Sequence, residues 1–319
     1  MKKLYVCLIV FVLTLGLCGP GALTAEAFPQ KPITIIVPFS PGGGADTYVR
    51  LIIPYLSRQL DGANVIVKNI PGGDMITGLM KIYRARPDGH TLGLFMTPGQ
   101  AVRQIVGGVN YDLGKVTWLG RISTMGYIMA LSPKSKFKSL EELQNADKVI
   151  LGVANISGAI GTLISSEKLK IKITPLAHRG SREAILAAIR GDVDFVQFPI
   201  TTLRPVLKAG DLKPVLVFSK KRLADFKNIP TIDELGYPTL IDIVKIGYYL
   251  GGPPNVPLEI ALKLEKAVEA ALKDKELRAK ADKVKRPIIE SNAQEARNEI
   301  HAILDSYAPF KEVLVKYLK

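Results

Sequence analysis

The sequence predicts an α/β protein made of two lobes around a ligand cleft, with a helical tail. Three observations carry this. Strand-like and helix-like segments alternate along most of the chain. The alternation comes in two sets, divided near Trp118. A glycine-rich turn joins the first strand to the first helix, at a strand's carboxyl end, where ligand sites of such sheets lie. The 319 residues suffice for roughly two ordinary domains, and 47% hydrophobic residues supply their cores.

The first set opens with the β-branched run ITIIVPF at Ile33–Phe39, read as a strand. Asp46–Leu60 reads as an amphipathic helix that Pro54 should kink. NVIVKN (64–69) is the next strand, Met75–Arg84 a helix and HTLGLFM (90–96) a strand. That is a βαβαβ pattern, the signature of a parallel sheet wrapped by helices.

In the second set YIMALSP (127–133) is a strand. SLEELQNA (139–146) is a helix opened by a capping box, Ser139 with Glu142 three residues on. VILGVAN (149–155) is a strand, Gly158–Leu169 a helix and ITPLAHR (173–179) a strand. SREAILAAIRGD is a helix ended by Gly191, and VDFVQF (193–198) and PVLVFSK, near Val215–Val217, are strands. The remainder is helix-rich, with one long helix LEIALKLEKAVEAALKDKELRAKAD and a last one near 293–318. Crossovers are expected near Gly120–Ser123 and Phe218–Lys220. The expected domains are 28–121 with 221–319, and 122–220.

Residues 1–27 read as a cleavable export signal. Lys2 and Lys3 precede an apolar run from Leu4 to Cys18, too short to span a bilayer, and Ala25 and Ala27 are the small residues of a cleavage site. Both cysteines, Cys7 and Cys18, lie in this leader. The mature chain would then hold no disulfide, thiol nucleophile or cysteine metal site, and its expected address is the periplasm. The precursor's net charge is +14; removing Lys2, Lys3 and Glu26 leaves 41 basic and 28 acidic residues, or +13. Such a charge attracts anions. The lysines are interleaved with acids, and no basic stretch carries interleaved aromatics, which argues against nucleic acid.

The loop PGGGAD has two physical readings. Gly42, Gly43 and Gly44 could make a tight turn, or could bring backbone N–H groups and a helix N-terminus against an anion. It is not a Walker A loop, since no Gly-Lys-Ser/Thr follows, and Thr47 stands where GxGxxG needs its third glycine. Asp46 reads as a helix N-cap or loop-fixing group, or as an acceptor for a ligand amine or hydroxyl.

The stretch FPQKPITIIVPFSPGGGADTYVR, followed by NVIVKNIPGGDMITG, ARPDGHTLGL, AHRGSREAILAAIRGDVDF, NIPTIDELGYP and GGPPNVPLEIALKLEKAVEAAL, resembles the Bug, or tripartite tricarboxylate transporter receptor, family of periplasmic solute-binding proteins. The resemblance covers essentially the whole mature chain. It implies a type II periplasmic-binding fold closing on a small organic anion, a di- or tricarboxylate or related acid, and membrane transporter subunits as partners. It places Phe39, Ser40, Gly42, Gly43, Gly44, Ala45 and Asp46 at the cleft. The family's opposing Gly-x-Gly-Ser loop, with a His shortly after, matches Ile156, Ser157, Gly158, Ala159 and Thr162; the serine is replaced by Ala159 and the histidine by Thr162. The family's Tyr-Lys-Gly becomes His178-Arg179-Gly180, and a usual Trp becomes Gly247, with Tyr248 and Tyr249 beside it. Thr97 and Gln197 complete the candidate ligand-binding set. Arg179 would offer carboxylate a bidentate fork and His178 a pH-sensitive donor.

No catalytic residue, metal, cofactor or nucleic-acid partner is expected, and the protein is expected to be a monomer. The histidines, His90, His178 and His301, are scattered, and neither HExxH nor GxSxG occurs. The competing readings are a phosphate-handling transferase on a similar bilobal fold and a ligand receptor for a membrane sensor kinase. Fold alone does not separate them.

Overall fold

A computed structural model describes residues 28–154, 157–178 and 180–318. The leader and the candidates Ile156 and Arg179 lie outside the described residues. Lys31–Lys319 make up one compact unit.

Among the described residues, nine strands form one curled, mixed sheet: β1 Ile33–Val37, β2 Val65–Asn69, β3 Thr91–Thr97, β4 Thr117–Leu131, β5 Val149–Val153, β6 Ile173–Ala177, β7 Phe195–Pro199, β8 Lys213–Val217 and β9 Lys245–Gly252. Their order is β2-β1-β3-β9-β4-β7-β5-β6, with β8 paired to β4. β1 pairs in parallel with β2 and β3, the outcome expected of the first βαβαβ set. β5 likewise pairs in parallel with β6 and β7. The architecture is the α/β one that the alternating segments predict.

The two halves are joined by β4 and β9, both antiparallel to their neighbours. β4 pairs with β9 over Thr117–Gly126 and with β7 over Tyr127–Leu131. Here the sequence reading needs correction. It begins this strand at Tyr127, whereas the strand starts at Thr117, and the expected crossover at Gly120–Ser123 lies inside it. The register against β9 shifts at Trp118/Gly120 and Arg121/Ser123, as β-bulges do. The sequence reading assigns β9 to no element.

Each half has its own core. Trp118 is fully buried, with edge contacts to Phe95 and Tyr249 at 4.8 and 5.8 Å. Ile128, Ala184, Val196, Leu203 and Val217 pack in the other half.

The long C-terminal helix is two, Leu258–Lys273 and Lys275–Lys283. Asp274 divides them: its side chain accepts from the N–H groups of Glu276 (2.8 Å) and Leu277 (3.1 Å), an N-cap. The last helix also divides, into Ala293–Tyr307 and Lys311–Leu318, with Pro309 in the short turn between. Helices Gly99–Val106 and Ile200–Lys208 have no counterpart in the sequence reading. The capping box at Ser139 is half formed. Ser139 Oγ accepts from Glu142 N–H (3.2 Å), but the Glu142 carboxylate takes the N–H of Lys138 instead (2.8 Å).

Candidate functional site

The first glycine loop is built by two glycine conformations and one buried acid. Gly42 takes φ +79°, the left-handed region that favours glycine. Gly43 is extended, at φ −77° and ψ 174°, and is the N-cap of helix Gly44–Gln59, with no side-chain cap bond. The first N–H groups of that helix therefore have neither an intrahelical nor a capping partner.

Asp46 is the third helical residue, not the N-cap, which corrects one of its two structural readings. Its Oδ2 accepts from Gly42 N–H (2.8 Å) and Arg50 Nε (2.9 Å), and its Oδ1 from Asn69 Nδ2 (2.9 Å). Asn69 Nδ2 also donates to Phe39 O (3.0 Å). One carboxylate thus ties the loop to the helix and to the end of β2. Burial alone would raise its pKa; the bonds from Arg50, Gly42 and Asn69 outweigh that and hold the carboxyl below its usual range.

Beside this loop lies a cavity of about 380 Å³. Ser40, Gly43, Gly44 and Ala45 line it from the first helix start. Gly158 and Ala159 line it from the start of helix Ile160–Lys168, and Gly180 and Ser181 from the start of helix Ser181–Arg190. The N-cap residues of those two helices, Ala159 and Gly180, likewise give no side-chain cap bond. A second glycine loop adds Pro71, Gly72, Asp74 and Met75, in a run whose residues Gly72 to Met75 all have positive φ. Asp74 is held by Arg103, whose Nε and Nη2 donate to its Oδ2 at 3.0 and 2.6 Å. Apolar and aromatic groups fill the rest: Met96, Tyr127, Phe198, Ile246 and Tyr248 among them. Burial pushes the Tyr127 and Tyr248 hydroxyls well up, so both are neutral donors at ordinary pH.

The cavity wall brings together Phe39, Ser40, Gly43, Gly44, Ala45, Gly158, Ala159, Gly180 and Gln197 of the candidate set. Gln197 is 3% exposed; its Nε2 donates to Ser165 Oγ (3.3 Å), and its Oε1 has no partner among the described residues. The other described candidates are not wall residues. Gly42 gives its N–H to Asp46, and Asp46 is buried under the loop. Thr97 faces Gly247 across the β3–β9 pair. His178 is held to the end of β5, its N–H donating to Val153 O (2.9 Å) with Nδ1 3.4 Å from the same oxygen. Ser157 opens the short turn before Ala159. Thr162, at the family's histidine position, is buried in its helix and is not a wall residue.

The sequence reading missed the second loop, the tyrosines as wall residues, and Ser181. IPGGD does carry the strand-then-glycine signal of the first loop, and that signal could have found it. Among the described residues, no group of three or more His, Cys, Asp or Glu is placed to hold a metal, and no helix is long and apolar enough to cross a membrane.

The family described as tripartite tricarboxylate transporter family receptor matches residues 49–312. The chain belongs to that family. BugT of Bordetella pertussis is 27% identical over 290 residues, 86% of each chain. The periplasmic binding protein BugD superposes with TM-score 0.77 at 21% identity, over 90% of this chain and 98% of that one. MatC of Rhodopseudomonas palustris, solved with bound malate, superposes with TM-score 0.74 at 23% identity, over 90% of this chain and 100% of that one. The bilobal periplasmic-binding fold of this receptor family is therefore the fold of this chain. The Ala159 departure leaves one of the helix starts on the cavity without a side-chain hydroxyl at its N-cap.

Proposed function

We propose that this protein is a periplasmic receptor that captures a small carboxylated organic solute between two lobes and presents the loaded form to membrane transporter subunits. One observation carries the reading. The N-terminal residues of three helices, none capped by a side chain, line a single cavity. Each such end presents backbone N–H groups and the positive pole of a helix dipole, so together they suit an anion. The carboxylate on the wall, Asp74, is engaged by Arg103 and adds little repulsion. Malate in MatC, and adipate in another Rhodopseudomonas palustris neighbour with TM-score 0.76, support an organic acid. The lobes are residues 28–121 with 221–319, and 122–220, and residues 1–27 are the export leader.

Gly43 tests the reading. Its φ is negative, and an added β-carbon would meet only Ser40 O, at 3.7 Å. Gly43→Ala should therefore fold and retain capture. Gly43→Asp adds a carboxylate at the helix start and should weaken capture about a hundredfold or more. Calorimetric titration with malate, succinate, adipate and citrate reads the affinity, and circular dichroism the fold. A folded Gly43→Asp protein that binds as the parent does would place the site elsewhere.

A further inference from the structure

The wall at Gly44 has a neighbour that no loop motif announces. A β-carbon at residue 44 would lie 3.4 Å from the Tyr248 hydroxyl and 3.6 Å from Arg286 Nη1. Arg286 stands in the connection between helices Lys275–Lys283 and Ala293–Tyr307. That connection is fastened down. Pro287 O accepts from the Tyr48 hydroxyl (3.2 Å) and from Ser123 Oγ (2.6 Å). Ile289 N–H donates to Ile122 O (3.2 Å), and Arg121 and Ser291 exchange backbone bonds at 3.0 and 3.2 Å. The Tyr48 and Tyr248 rings lie 5.1 Å apart, centre to centre.

The connection thus places the guanidinium beside the first helix start. The acids Glu290 and Glu299 are committed to Arg278 and Arg121. Among the described residues, no carboxylate lies within ion-pair distance of Arg286. Arg286 itself is not a wall residue and stands behind Gly44 and Tyr248, which are; elsewhere on the wall, Gln197 presents a buried amide oxygen with no partner among the described residues, a polar group left for a solute.

We propose that Arg286 is a specificity-determining residue: its uncompensated charge reinforces the helix start at Gly43–Ala45 and selects solutes whose head group there is an anion. The inference rests on the capture reading above. A β-carbon at residue 44 would already be in van der Waals contact with Tyr248 and Arg286, so a side chain longer than alanine's would have to displace them.

The test titrates wild type, Arg286→Gln, Arg286→Lys and Tyr248→Phe with malate, succinate, adipate and citrate. Arg286→Gln should bind the best of these about tenfold more weakly than wild type, and Arg286→Lys should recover most of the loss. The gap should narrow as salt rises from about 20 mM to about 300 mM, because screening removes a charge effect but not a packing effect. Tyr248→Phe, which leaves the cation in place, should lose about threefold and keep the salt dependence. Equal affinity in Arg286→Gln and wild type, or a loss that Lys does not recover and salt does not change, overturns this inference and leaves the capture reading standing. If wild type binds none of the four acids, both fall.

Discussion

Asp46 decides the shape of the first loop. Three donors converge on its buried carboxylate, from the loop, its own helix and the end of β2. Removing the acceptor in Asp46→Ala should cost about 1–3 kcal/mol, because the Gly42 and Asn69 donors lose their partner. Asp46→Asn keeps the size and loses the charge. The folded pKa lies below the unfolded one, so the charge's contribution is complete above the unfolded value of about 3.9 and is lost as pH falls through the folded value. Urea unfolding should therefore show wild type ahead of Asp46→Asn at neutral pH and level with it once both states are protonated. A gap that persists unchanged in acid would mean that the charge is not its source. The sequence marks Asp46 as the pivotal acid but not its position in the helix. Where the helix begins depends on Gly42 turning left-handed, and three glycines in a row do not say which one turns.

What the sequence hides is β9 and the first part of β4, the segments that hold the halves together. β4 carries Gly120 and Gly126, and β9 carries Gly247, Gly251 and Gly252, so strand propensity is weak where the pairing is most extensive. The glycines are there because neighbours come close. A β-carbon at Gly247 would sit 2.5 Å from the Tyr249 ring and 2.9 Å from Thr97 Oγ1. Tyr249 cannot easily yield, since it is buried and its hydroxyl donates to Glu299 Oε2 (2.9 Å). The tryptophan that the family resemblance implies near this position would have no room at Gly247. Gly247→Ala should lower stability by about 1–3 kcal/mol through overpacking; an unchanged melting temperature would show that space exists. Helix ends differ in how legible they are. Gly191, with φ +89°, ends its helix as read, whereas the break at Asp274 is masked by apolar periodicity running on through it.

At the scale of the molecule, alternating segments suffice for two α/β halves, because parallel pairing in each follows from the βαβ pattern. Strand order does not follow from it, and strand order brings the loops after β1 and β6 to one cavity. The family resemblance supplies that pairing of loops; composition and periodicity cannot. The excess of basic residues adds a general pull on anions, while the helix starts and Arg286 give it a place. The central claim is capture of one organic acid, unchanged. Its most direct test is a native mass spectrum of ligand-stripped protein offered a mixture of malate, succinate, adipate, citrate, nucleotides and sugar phosphates. The account predicts one organic acid bound per chain and released intact. A nucleotide or sugar phosphate bound in its place, or an acid recovered chemically altered, would contradict it.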